Sequence, residues 1–245
     1  MEIKFDGKRA LVTGAGKGIG RATAKALVKC GAETYALSRT QADLDSLKAE
    51  VPTIHTVCVD ITDWDKLRGV VKTLCPIDLL VNNAGVCTLA PFLEVSKEDF
   101  DYTYDTNVKA LINISQVVLK DIIDRGSSCA VVNVSSIASS IAVFNHIVYA
   151  SSKAAVDMLT KIMTLELGSK NIRVNSVNPT VVMTDMGKRN NWSDPAKSGP
   201  VLALTPQGRF AEVHEVVDAI LFLLSDKASM INGTCLPVDG GRLVQ

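Results

Sequence analysis

Short apolar runs and stretches of helical spacing alternate along the whole chain. The runs at 9–13, 32–37, 54–59, 77–81, 130–135, 171–177 and 233–238 carry many β-branched residues and little polar interruption. That is the pattern of strands buried on both faces. Between them, apolar residues recur every three or four positions over 21–30, 40–49, 63–74, 98–125, 149–167 and 212–224, which predicts helices. Strand and helix in strict alternation predict an α/β fold: a single-domain, Rossmann-type, doubly wound parallel sheet of about seven strands with helices on both faces. No linker, repeat or low-complexity block divides it, so 1–245 reads as one domain. The polar stretch 183–208, which contains Trp192 and several Pro and Gly residues, reads as irregular and stands where a substrate lid is expected.

Composition narrows the partners. Lys+Arg and Asp+Glu both number 26, giving a net charge of zero, whereas a nucleic-acid binder carries a basic excess. The first nine residues are charged and have no apolar signal core. The run Ala219-Ile-Leu-Phe-Leu-Leu224 falls far short of the ~20 residues that span a bilayer. No transmembrane segment and a cytoplasmic location are expected. The six cysteines, at 30, 58, 75, 87, 129 and 235, are scattered and read as reduced, mostly buried thiols. Three histidines without ligand spacing give no metal site.

The first strand leads into Thr13-Gly14-x-x-x-Gly18-Ile19-Gly20, and a helical pattern follows at once. Strand, glycine turn and helix make a phosphate cradle: the glycines admit a pyrophosphate close to the backbone, and the helix start offers free N–H groups. Gly-Lys-Ser/Thr is absent, which excludes a Walker-type site. At the end of the second strand, where an acid would bind the ribose hydroxyl of NAD, stand Ser38 and Arg39, with Asp43 on the next helix. Arg39 and Lys17 together suit a 2′-phosphate, so the expected cofactor is NADP(H). Asp60 and Ile61 follow the third strand, and Asp60 suits either an adenine amino group or a helix cap. Asn83, Ala84 and Gly85 close the fourth strand, at the end where ligands bind in such sheets.

Tyr149 and Lys153 lie four apart at the start of a helical pattern, on one face. Free tyrosine titrates near ~10, too high for easy proton exchange. A neighbouring ammonium is expected to lower it and make the phenol a proton donor. Tyr-x-x-x-Lys alone is common as a solvated pair; what surrounds it gives it weight.

These motifs together resemble the classical short-chain dehydrogenase/reductase family. The resemblance covers essentially the whole chain and rests on 13–20, Asn82-Asn-Ala-Gly85, Asn107, Ser136, Tyr149-x-x-x-Lys153 and Asn178-Pro179. More narrowly, Ser38-Arg-Thr-Gln-Ala-Asp-Leu, Asn178-Pro-Thr-Val-Val-Met-Thr184 and Trp192-Ser-Asp-Pro195 look like the dicarbonyl/L-xylulose reductase group. The resemblance implies NADPH-dependent reduction of L-xylulose to xylitol and of α-dicarbonyls such as diacetyl. It implies Tyr149 as general acid, Ser136 holding the carbonyl oxygen, Lys153 on the nicotinamide ribose and Asn107 shaping a helix and anchoring a water. It also implies Pro179, Val182 and Thr184 packing the nicotinamide, and a homotetramer built through helices 98–125 and 149–167, with Val108, Leu111, Ile112 and Ile122 as apolar positions. Asn145, His146 and Trp192 are the candidate substrate contacts, with a small carbonyl compound as substrate. A reductase of 3-oxoacyl or steroid ketones, and a non-catalytic NADP-sensing regulator, remain open beside this reading.

Overall fold

The alternation of residues along each strand assigns the two faces of the sheet. In the computed structural model, which describes residues 2–244, Ala10 and Val12 of β1 (Arg9–Thr13) pack into one core and Leu11 into the other. The expected span 1–245 includes Met1 and Gln245, which lie outside the described residues. β5 (Cys129–Val134) repeats the rule: Ala130, Val132 and Val134 face one core, Cys129 and Val131 the other. The remaining strands are β2 (Glu33–Ser38), β3 (His55–Cys58), β4 (Leu79–Asn82), β6 (Ile172–Pro179) and β7 (Cys235–Val238). All neighbours are parallel, in the order β3-β2-β1-β4-β5-β6-β7. The strand order reverses between β1 and β4, and ligands of open parallel sheets bind in the crevice at such a point.

The helices are α1 (Gly18–Lys29), α2 (Gln41–Glu50), α3 (Trp64–Leu74), α4 (Lys97–Tyr104), α5 (Ala110–Asp124), α6 (Ile147–Leu167), α7 (Asp185–Arg189), α8 (Pro195–Ala203) and α9 (Val213–Leu224). Leu27 of α1, Leu44 of α2 and Ile220 of α9 fill one core; Leu67 of α3 and Ile114 and Ile122 of α5 fill the other. Among the described residues no helix is long and apolar enough to cross a membrane.

One expectation is refined and two are corrected. The stretch 98–125 is helical without a break as far as Asp124, but α4 and α5 meet through a wide π-type turn over Asp105–Lys109, with Asn107 inside it. Such turns are frequent at functional sites. The stretch 183–208 is not irregular, because it holds α7 and α8; Asp194 accepts the Ala196 N–H at 2.9 Å and Pro195 occupies the first helical turn. Leu111 and Ile122 are buried within the chain and are not free for a partner. The apolar side chains exposed on these helices are instead Phe100, Ile123, Met158, Ile162 and Leu165. The cysteines are all free, as read, but Cys129 alone is fully buried and Cys58 is exposed.

Candidate active site

The C-terminal ends of β1 and β4 are tied together by one hydroxyl. Thr13 Oγ1 accepts the N–H groups of both Asn83 and Ala84 at 3.0 Å. The Asn83 amide donates to the Thr13 carbonyl at 2.9 Å. The glycine loop lies against this knot. Gly14 has a φ of +63°, and a Cβ there would stand 2.8 Å from the Ala84 Cα. A Cβ on Gly20 would overlap the Asn83 side chain and the Gly14 carbonyl. Both positions therefore need glycine. Ile19, in the first turn of α1, packs on the core beneath the loop. Lys17, just before α1, makes no side-chain cap, so the first N–H groups of α1 keep no side-chain partner. A helix start left open in this way suits a phosphate. The loop thus fits the pyrophosphate of a dinucleotide.

The cations at the loop are not solitary. Lys17 is exposed, 3.5 Å from Asp43 and 3.9 Å from Asp185. Asp43 reaches the loop from the first turn of α2. Arg39 donates to the Tyr102 hydroxyl at 3.1 Å and lies over its ring at 5.9 Å. Arg21, unmarked in the sequence, pins the loop to α2 through the carbonyls of Gly16 and Asp43. Ser38 Oγ lies beside Gly16. Asp60 is exposed and caps a local turn, accepting the N–H and hydroxyl of Thr62 at 2.9 Å. The cap of α3 is Asp63, whose carboxylate accepts the Lys66 N–H. Ile61, Thr13, Ala84 and Thr106 line one small cavity at the rim of the crevice.

The second half of the site stands on β5 and α6. Ser135 is buried and donates to the Lys153 carbonyl at 3.1 Å. Ser136 is half-buried; its hydroxyl accepts the Ala138 N–H at 3.2 Å and meets the Tyr149 phenol. This separates the two serines: one holds the backbone of α6, the other faces the phenol. Asn107 Oδ1 accepts the Val86 N–H at 2.8 Å, while its Nδ2 donates to the Val86 carbonyl and to Ser152 Oγ. Its side chain clamps the loop after β4 to α6. Gly85 stands between Asn107 and Lys153, 3.4 Å from each when a Cβ is placed on it.

Lys153 is 4% exposed, its Nζ donates to the Val134 carbonyl at 2.8 Å, and it lies 5.7 Å from the centre of the Tyr149 ring. Burial pushes its pKa down to about 8. The expected lowering of Tyr149 is corrected. Burial pushes this phenol well above its ordinary value, Cys87 adds to that, and a hydrogen bond with Ser136 pulls it partly back. Desolvation outweighs the ammonium, which is itself buried and holds a backbone carbonyl. The Cys87 thiol is likewise pushed up to about 11 by burial.

Of the candidate substrate contacts, His146 alone meets Tyr149. The rings stand edge to face, 6.2 Å apart. The His146 Nδ1–H donates to the Phe144 carbonyl at 2.6 Å, and burial lowers its pKa, which leaves a neutral ring with Nε2 as acceptor. Asn145 is exposed in a left-handed conformation, with its carbonyl accepting the Ala90 N–H. The Trp192 ring meets Lys197 of α8 at 4.5 Å and Phe210, just beyond the segment, at 6.0 Å. Pro179 ends β6, and Val182 is buried and bridged to Ala211. Thr184, whose N–H donates to the Val182 carbonyl, lies over the glycine loop, its methyl 3.2 Å from a Cβ placed on Gly18. Thr184 therefore joins the two halves of the crevice.

Comparison with known proteins gives concordant results. A family model described as short chain dehydrogenase matches residues 8–194. The chain is 58% identical over 244 residues to an L-xylulose reductase of Mesocricetus auratus, covering all of both chains. It is 55% identical to a D-erythrulose reductase of Gallus gallus, covering 99% of this chain and 98% of that one. Among solved structures, a gluconate 5-dehydrogenase from Burkholderia cenocepacia in complex with NADP and tartrate superposes with a TM-score of 0.94 at 30% identity, covering 100% of this chain and 98% of that one. With its sheet order, its glycine loop and these relatives in agreement, the chain belongs to the short-chain dehydrogenase family.

Proposed function

We propose that this protein is an NADPH-dependent reductase of small polar ketones, with L-xylulose, reduced to xylitol, as its principal substrate and α-dicarbonyls such as diacetyl as further ones. The full-length similarity to L-xylulose and D-erythrulose reductases supports the ketose. The observation that carries the chemistry is the meeting of Ser136, Tyr149 and Lys153 beside the glycine loop's end of the crevice.

When bound, NADPH would supply the hydride to the carbonyl carbon. Gly14, Gly18, Ile19 and Gly20 would take its pyrophosphate, and Arg39 and Lys17, with Ser38, its 2′-phosphate. Asp60 and Ile61 would border the adenine; Asn83, Ala84, Gly85, Pro179, Val182 and Thr184 would border the nicotinamide half. Ser136 donates its hydroxyl proton to the carbonyl oxygen and so orients it. Tyr149 transfers its phenolic proton to that oxygen as charge develops there. Its raised pKa keeps it protonated, which suits an acid. Lys153, as the cation, stabilises the phenolate left behind and would hold the nicotinamide ribose. Asn107 keeps the loop after β4 and α6 in register. His146 offers an acceptor to a substrate hydroxyl, with Asn145 and Trp192 at the rim.

We further propose a homotetramer, because Met158, Ile162 and Leu165 leave an apolar stripe exposed along α6. The free cysteines agree with a reducing compartment, the cytoplasm. Steady-state rates on L-xylulose, diacetyl and a 3-oxoacyl thioester, each with NADPH and NADH, test the reading. The expected result is turnover of the first two with NADPH preferred. Turnover of the thioester alone would overturn it.

A further inference from the structure

Asp157 lies on α6, one turn beyond Lys153 and two beyond Tyr149, and is 9% exposed. A carboxylate this deep is costly unless it is well partnered. Its side-chain partners from β6 are neutral: Asn178 Nδ2 donates to it at 2.8 Å and the Ser176 hydroxyl stands at 3.3 Å. The single Ser176 proton is shared with Asn178 Oδ1, the nearer acceptor at 2.8 Å. A carboxylate only accepts, so it fixes which way the Asn178 amide points: nitrogen towards Asp157, oxygen towards Ser176. So oriented, the same nitrogen reaches Ser139 Oγ at 3.1 Å and the Ser136 carbonyl at 3.3 Å. Ser139 Oγ donates to that carbonyl at 2.7 Å. A flipped amide would set its oxygen against the carboxylate and the Ser136 carbonyl alike.

We propose that Asp157 is a positioning residue for the reaction: through Asn178 it holds the Ser136 turn, and from one turn along α6 it sets a negative charge beside Lys153. The proposal rests on the roles given above to Ser136 and Lys153. The titratable groups that face Lys153 are Tyr149 and Asp157 from its own helix and Cys87 from the loop after β4. Those that face Asp157 are Lys153 and, from β7, the Cys235 thiol, with Lys161 nearby on α6. Asp157 is the carboxylate of that set, so its loss leaves the ammonium without its anionic neighbour. Lys153 then gives up its proton at a lower pH.

The test is the pH profile of kcat/KM from about pH 6 to about 10, with NADPH and L-xylulose or whichever carbonyl of the panel the parent turns over. Asp157→Asn is nearly isosteric: its oxygen still accepts from Asn178 and its amide donates to Ser176. It removes the charge and keeps the shape. The alkaline limb is expected to move down by about one pH unit, with NADPH affinity by fluorescence titration within about twofold of the parent. A limb that superimposes on the parent's overturns the proposal. Ser176→Ala loosens Asn178 and leaves the charge. It should lower kcat at least about fivefold with the limb unmoved; a parental kcat or a moved limb again overturns the proposal, and this variant decides alone if D157N does not fold. Failure of the underlying reading looks different: Tyr149→Phe would then be as active as the parent.

Discussion

Replacing Lys153 by methionine should make the folded protein more stable while removing its activity. The ammonium is 4% exposed and has its pKa pushed from 10.5 to about 8. A depression of that size corresponds to about 3 kcal/mol by which folding disfavours the charged form at neutral pH. Methionine has a similar reach and no charge to desolvate. It leaves the Val134 carbonyl without the donor it now has at 2.8 Å, a loss of about 1–2 kcal/mol. The balance favours the variant by about 1–2 kcal/mol, or roughly 4 °C in Tm for a chain of this size.

The pH dependence carries the sharper test. In the folded protein the lysine releases its proton near 8, in the unfolded chain near 10.5. Between those values the unfolded state binds more protons, so the stability of the parent rises with pH across that window. The variant has no such group, so its advantage is full below about pH 8, shrinks through the window and has reversed by about 10.5, where only the lost hydrogen bond to the Val134 carbonyl remains. Chemical denaturation of both proteins at several pH values measures the gap directly. A variant less stable than the parent at neutral pH, or a gap that does not change with pH, would refute the claim that burial of this charge dominates the site. Activity should fall by about 10²-fold or more in either case, since the phenolate loses its counter-ion.

Tyr149→Phe removes the proton donor without disturbing the ring's packing; kcat should fall by about 10²–10⁴-fold while NADPH affinity by fluorescence titration is kept. Arg39→Ala should raise KM for NADPH about tenfold and leave KM for NADH unchanged, because only the 2′-phosphate engages the guanidinium; equal changes for both cofactors would place the phosphate elsewhere. Leu165, 85% exposed on α6, should tolerate Glu without loss of monomer stability. Size-exclusion chromatography of that variant should show a species smaller than the parent, and an unchanged elution volume would clear α6 of the interface.

What could be read in the sequence, and what could not, follows from the range of the interactions. Strands and helices come from periodicities a few residues long, and all seven strands fall where the apolar runs stand. The glycine loop and the Tyr149–Lys153 pair are also local, the first seven residues long and the second four residues apart. The contacts that the sequence hid link distant elements: Arg21 to the Asp43 carbonyl on α2, Asn107 to Val86, Asp157 to Asn178. No spacing rule announces a hydrogen bond between residues that only the sheet order brings together. The π-type turn at Asp105–Lys109 was hidden for a related reason, since the helical pattern of 98–125 runs on through it.

A signal for these contacts was nonetheless present, as a breach of the apolar pattern. Buried polar side chains gather towards the C-terminal ends of four strands: Thr13 on β1, Asn82 on β4, Asn133 on β5, Ser176 and Asn178 on β6. Polar side chains in a core weaken it unless each finds a partner, and here nearly every one does. Asn82 Nδ2 donates to Asn133 Oδ1 and Asn133 Nδ2 to Thr160 Oγ1, each at 2.9 Å. Such a network has no use in a sheet that only needs to be stable, because valine at these positions would pack as well without it. Its occurrence at one edge of the sheet, and at the edge where the strand order reverses, ties it to ligand chemistry rather than to folding. The buried Lys153 and Asp157 extend the same argument to α6. Each is a charge that the fold would be more stable without, and the cost is understandable only where the carbonyl oxygen is held and protonated.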